Sequence, residues 1–135
     1  MSPKDSDKRQ TTRIECINPI LNVKALSVSR NYYVNVLGFK EADWGKGNTF
    51  TCMERDNAGI HLCQNGQGHS GTWIWIGFDG DMDSLYREFK TKGAIIRQPP
   101  TNYSWALEMH VEDPDGHVLR FGTEPAKDEP YTNNV

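Results

Sequence analysis

Glu108 and His110 stand two positions apart, so on a β-strand their side chains leave the same face. With His61 they would supply three nitrogen and oxygen donors, the minimum for a divalent ion beside an open coordination position. The competing reading is a solvated strand face, because a polar residue at every second position is what any half-exposed strand shows. Arg120 alternates with Leu119 and Phe121, which places it to meet an acidic ligand group or to pair with Glu108. The four tryptophans suggest a different chemistry. Trp73 and Trp75 alternate with Ile74, Ile76 and Phe78, so two indoles share one face and an apolar row the other. Such plates hold planar molecules at about 0.5–1.5 kcal/mol per stacked pair beyond area burial. They equally suit a subunit interface. Trp44 closes one strand-like run and Trp105 begins another. His69, in a glycine-rich loop, and His117, at a strand start, read as surface or turn histidines. Gly66, Gly68 and Gly71 precede a strand where a phosphate cradle needs a helix, and no nucleophile-elbow signature occurs.

The chain that must position these residues has 135 residues, 36% hydrophobic and 24% charged, with a net charge of −3. That length suits one domain with an ordinary core. The charge balance argues against a nucleic-acid partner, since no basic run exists to displace phosphate counterions. No apolar stretch approaches a membrane span. Residues 1–13 lack the apolar middle of a secretion signal, and Cys16, Cys52 and Cys63 form no paired framework, so reduced thiols in a cytoplasmic protein are expected. Residues 1–13 and 123–135 are polar and contain proline; they are expected to be a disordered N-terminal tail and a flexible C-terminal tail around a domain at 14–122.

Within the domain the apolar period changes repeatedly. Ile17 to Val23 alternates as a strand. Val28, Tyr32, Tyr33, Val36 and Leu37 recur at helical spacing, with Ser27 as the expected N-cap and Gly38 as the stop. Strand-like runs follow near residues 39–44, 49–54 and 59–64. The second half repeats this order: a strand at 72–78, a helix carrying Met82, Leu85, Tyr86 and Phe89 up to Gly93, and strands near 94–97, 103–112 and 117–122. Pro99 and Pro100 are expected to break the chain between strands. The arrangement reads as α+β, two βαβββ modules (about 14–64 and 72–122) whose curved mixed sheets join into a cup with helices outside.

The strand 18–23, the helix ending Val36-Leu37-Gly38-Phe39, the run Trp73-Ile74-Trp75-Ile76, the helix Leu85-Tyr86-Arg87-Glu88-Phe89 and the stretch from Glu112-Asp113-Pro114-Asp115-Gly116 to Phe121 together resemble the vicinal oxygen chelate superfamily of glyoxalases, bleomycin resistance proteins and dioxygenases. The likeness is closest to the bleomycin resistance proteins and covers about residues 17–122. It implies paired modules in homodimers whose subunits contribute to two ligand cups. Its enzymes hold a metal with His, Glu or Gln from the first and last strand of each module, places that fall here on Asn18, His61, Trp73 and Arg120. His61 could ligate and Asn18 only weakly, Trp73 cannot, and Arg120 repels a cation. The resemblance also makes Trp105 the counterpart of a tryptophan that stacks on the drug's flat heterocycles, with Trp44 lining the same cup.

The leading expectation is a homodimer that sequesters a planar small molecule without cofactor or catalysis. A bleomycin-type antibiotic is the named ligand, although a chain of this charge does not particularly favour a cationic glycopeptide. The ligand would be held by Trp73, Trp75, Trp105, Trp44, Arg120, His61, Asn18 and Glu108. The alternative is a metal-dependent glyoxalase- or dioxygenase-type enzyme using His61 with Glu108 or His110. Neither membrane nor nucleic acid is expected as a partner.

Overall fold

A computed structural model describes residues 11–132. Its order is β1 (Ile20–Val23), α1 (Leu26–Asn31) running into a π-helical turn (Tyr32–Val36), β2 (Lys40–Glu41), β3 (Phe50–Arg55), β4 (Ala58–Gln64), β5 (Trp73–Gly77), α2 (Met82–Thr91), β6 (Ile95–Asn102), β7 (Leu107–Glu112) and β8 (Val118–Thr123). The strands form two four-stranded sheets of identical plan, β1-β4-β3-β2 and β5-β8-β7-β6. In each the first and last strands of the module pair in parallel and the remaining pairs are antiparallel. This is the expected α+β architecture of two βαβββ modules with mixed sheets. None of its helices is long and apolar enough to cross a membrane.

Strand alternation decides which face each module buries. Leu21, Val23, Met53, Ile60 and Leu62 of the first sheet share one core with Met109, Val111, Leu119 and Phe121 of the second. Tyr32, Tyr33, Leu37, Met82 and Phe89 from the helical segments join the same core. Both helices bury one side in this core and leave the other exposed. The modules are also bolted together by polar groups. The Tyr32 hydroxyl donates to the Glu112 carbonyl at 2.6 Å and accepts from the Ile95 N–H at 3.0 Å. The Tyr33 hydroxyl donates to buried Asp113 at 2.8 Å. Arg55 at the end of β3 binds Glu88 of α2 through two nitrogens, at 2.8 and 3.1 Å.

Several local expectations change. α1 begins at Leu26 after Ala25, so Ser27 lies inside the helix and is not its cap. The cap function is taken over at long range: Gln64 accepts from the Leu26 N–H and Asp115 from the Lys24 N–H, each at 2.8 Å. β6 runs through Pro99 and Pro100. Both prolines are tolerated because β6 is an edge strand and its register slips there, so no ladder needs their missing donors. Trp105 lies in the loop between β6 and β7, and Trp44 on a 3₁₀ turn (Asp43–Gly45), neither on a strand. His117 is fully buried: its Nδ1 accepts from the Thr72 N–H at 2.9 Å and its Nε2 contacts the Asn22 carbonyl at 2.7 Å, tying β1 to the entry of β5.

Residues 1–10 of the expected N-terminal tail lie outside the described residues. Chain 11–18 is exposed, with Ile14 and Ile17 each 87% open to solvent, so the first strand starts later than the sequence pattern suggests. Residues 133–135 of the expected flexible C-terminal tail lie outside the described residues, and its described part is hydrogen-bonded to the end of β6. Asn102 exchanges side-chain hydrogen bonds with Ala126 at 2.8 and 2.9 Å, and its carbonyl accepts from the Thr132 N–H at 2.7 Å. A single buried residue supplies these contacts through its side chain and its carbonyl, which sequence period cannot reveal.

Candidate functional site

The residues singled out from the sequence sit on the outward faces of the two sheets, opposite their core-facing rows. On the first sheet, register aligns Ile20, His61 and Cys52 in one row and Asn22, Cys63 and Phe50 in the next. Phe50 and Trp44 meet the His61 ring edge-on at 5.5 and 6.4 Å between centroids. Asn18, one row back, is exposed and lies against Gly59. On the second sheet the rows are Trp73, Val118 and Glu112; Trp75, Arg120 and His110; and Gly77, Gly122 and Glu108. The structure thus brings Trp73, Trp75, Trp105, Arg120, Glu108 and His110 together on one face, and sets His61 on the other sheet with Asn18 and Trp44 beside it.

Glu108 is the hub of the second face. Its side chain is fully buried, yet it receives both Nε and Nη2 of Arg120 at 2.8 and 3.0 Å and the Trp105 indole N–H at 2.6 Å. His110 Nε2 lies 3.2 Å from its Oε1. Burial pushes the carboxyl up, but the hydrogen bonds from Trp105, Arg120 and His110 outweigh it and hold it below the ordinary glutamate value. The bidentate pair is the strong form of this contact.

Glu108 spends its acceptor positions on Arg120, Trp105 and His110, Trp73 has no lone pair to give, and Arg120 brings a fixed positive charge. His61 stands on the other sheet, and among the described residues no group of three or more His, Cys, Asp or Glu side chains is close enough to hold an ion. The donor set does not fit a catalytic divalent metal.

Each tryptophan of this face is held by a different neighbour. Trp105 stacks on Tyr103 with centroids 4.6 Å apart and planes 10° apart. Trp73 carries the Arg97 guanidinium over its ring at 5.1 Å and meets His110 edge-on at 5.8 Å. Trp75 crosses the glycine pair Gly77 and Gly122, where a β-carbon would stand 2.5 or 2.6 Å from the indole. All three remain about half exposed, at 52% for Trp73, 53% for Trp75 and 48% for Trp105. Sequence reading missed Tyr103, Arg97 and the two glycines. Only Gly77 carried a signal, as the third residue on the face of Trp73 and Trp75. A cavity of about 1090 Å³ runs along the unpaired edge of β5, lined by Trp73 and Trp75 and bounded by Ile17, Asn57–Ile60 and the start of α2.

A family model, Glyoxalase/Bleomycin resistance protein/Dioxygenase superfamily, matches residues 13–121. The chain belongs to this superfamily. No curated protein matches the sequence. Among solved structures, the superfamily fold recurs in a bleomycin-binding protein from bleomycin-producing Streptomyces verticillus complexed with copper(II)-bleomycin (21% identity, 86% of this chain and 100% of that one, TM-score 0.68). It recurs in a glyoxalase/bleomycin resistance protein/dioxygenase from Nocardioides (16% identity, 96% and 97%, TM-score 0.67) and in a virulence protein from Salmonella typhimurium (17% identity, 84% and 99%, TM-score 0.69). At these identities the likeness establishes the superfamily's fold and leaves the ligand to the site itself.

Proposed function

We propose that this member of the superfamily is a cytoplasmic small-molecule-binding protein that retains a planar organic ligand, a bleomycin-type antibiotic among the candidates, by stacking and without catalysis. The observation that carries the reading is the second sheet's outward face: three half-exposed indoles surround a carboxylate already consumed by an arginine. Exposed apolar area of this kind marks a binding surface. The neighbouring Streptomyces protein in complex with copper(II)-bleomycin supports an organic ligand on this fold. Three cysteines without a disulfide support a reducing compartment.

The proposal includes a homodimer in which the first sheet's outward face, with Trp44, Phe50, His61 and Asn18, closes over the second sheet's outward face of the other copy. Its support is that both faces display large aromatic side chains and that β1 and β5 are unpaired edges.

Calorimetry with metal-free and copper-loaded bleomycin, run beside tryptophan fluorescence, tests the reading. Saturable heat with quenching is expected, and Trp75→Ala should weaken it. Metal analysis of protein purified without chelator should return background, with binding by His61→Ala close to wild type. Stoichiometric metal lost in His61→Ala would install the metal-dependent enzyme in its place.

A further inference from the structure

Resting on the reading that this face stacks a planar ligand, we infer that the part of the ligand laid on Trp75 is an uncharged ring system with one hydrogen-bond acceptor at Arg120 Nη1. Of the three indoles, Trp105 already has Tyr103 on one face and Trp73 has the Arg97 guanidinium on one of its own. Trp75 differs in what backs it. Its underside fills the slot above Gly77 and Gly122, which are direct partners on adjacent strands, and any β-carbon there would force the ring up. Slot and sheet together fix the indole without spending an aromatic or charged partner on it. The two glycines are positioning residues for the plate.

Charge decides the class of ligand. The four formal charges of the face occur as two pairs, Arg120 with Glu108 and Arg97 with Glu112, the latter at 2.6 Å. A cation gains the indole quadrupole but no counter-charge, because the Glu108 side chain is inaccessible and its oxygens are taken. An anion approaching Arg120 meets the Glu108 charge bound to the same guanidinium. What remains is directional: Nη1 is the one Arg120 nitrogen without a hydrogen-bond partner among the described residues, it is not a buried unsatisfied donor, and it shares a row with Trp75. A carbonyl or ring nitrogen of a neutral ligand satisfies it with no charge to desolvate.

The test uses the full chain and four bicyclic probes of one size: coumarin, naphthalene, N-methylquinolinium and naphthoate, followed by tryptophan quenching. Coumarin should bind about tenfold more tightly than either ion and than naphthalene. Arg120→Lys should narrow the preference for coumarin over naphthalene. Gly122→Ala should weaken coumarin and naphthalene together and shift Trp75 emission; if the glycine variant fails to fold, Trp75→Ala should weaken both probes instead. Ions binding as tightly as coumarin, or coumarin no tighter than naphthalene, would overturn the neutral-acceptor inference while leaving planar stacking intact. Failure of all four probes, together with no response to bleomycin, would remove both.

Discussion

The two sheets share one strand order and one way of burying their inward rows, yet their outward faces are built differently. The first sheet centres on His61, bracketed edge-on by Phe50 and the strongly exposed Trp44, with no ion pair in its middle rows. The second holds a buried carboxylate and ties an arginine, an indole and an imidazole to it. One face is therefore adaptable and the other preorganised. A ligand meeting the second face finds its plates already fixed, so less rotamer entropy is lost on binding.

Removing the guanidinium should break that comparison most severely. Arg120→Ala leaves Glu108 as a buried charge stripped of its main partner, a loss of about 3–5 kcal/mol in chemical denaturation. The matching His61→Ala on the first face should cost less than about 1 kcal/mol, since its ring makes only edge contacts there. Equal losses would show that the second face is no more preorganised than the first. Next in size is the bolt between modules. Tyr33→Phe removes the hydroxyl that donates to Asp113, which is 2% exposed, and should cost about 1–3 kcal/mol.

Acid titration sharpens the same contrast, because the two buried carboxylates respond with opposite sign. Glu108 is held below its ordinary value, so its stabilisation is complete above that value and is lost as pH falls through the depressed one. Asp113 is lifted above its ordinary value, chiefly by burial and against the hydrogen bonds it accepts from the Tyr33 hydroxyl and the His117 and Asp115 N–H groups. In the folded state it takes up a proton first, and stability from this group falls as pH rises through that window. Thermal melts across the acid range should show Glu108→Gln abolishing part of the deep-acid loss, and Asp113→Asn flattening the opposite slope above it. A shared sign for both variants would refute the assignment.

The module order, both helices and the glycine stops were legible because period and punctuation are local. Gly38 and Gly93 do adopt positive φ, at 75° and 86°, where the sequence ends its helices. The clustering of Glu108, His110 and Arg120 on one face followed from strand alternation, and so did the Glu108–Arg120 pair. What stayed hidden depends on partners far along the chain. His117 looks like a turn residue until Asn22 and Thr72 are found at its two nitrogens. The long-range cap from Gln64 and the anchoring of residues 126–132 by Asn102 are of the same kind. Trp105 was misplaced onto a strand because the prolines before it suggested a break, whereas the edge position of β6 absorbs them.

The smallest effect is the most discriminating for the first face. Trp44 is 75% exposed on a 3₁₀ turn and contacts the His61 ring only at its edge, so within a single chain its truncation removes little. Trp44→Ala should shift stability by no more than about 0.5 kcal/mol in dilute solution, where copies stay apart. If the first face closes over a second copy, the same variant at high protein concentration loses buried indole area and its sedimentation shifts toward monomer. Wild type and variant sedimenting alike at every concentration would leave Trp44 outside any interface, and the second face would then bind its ligand in the open.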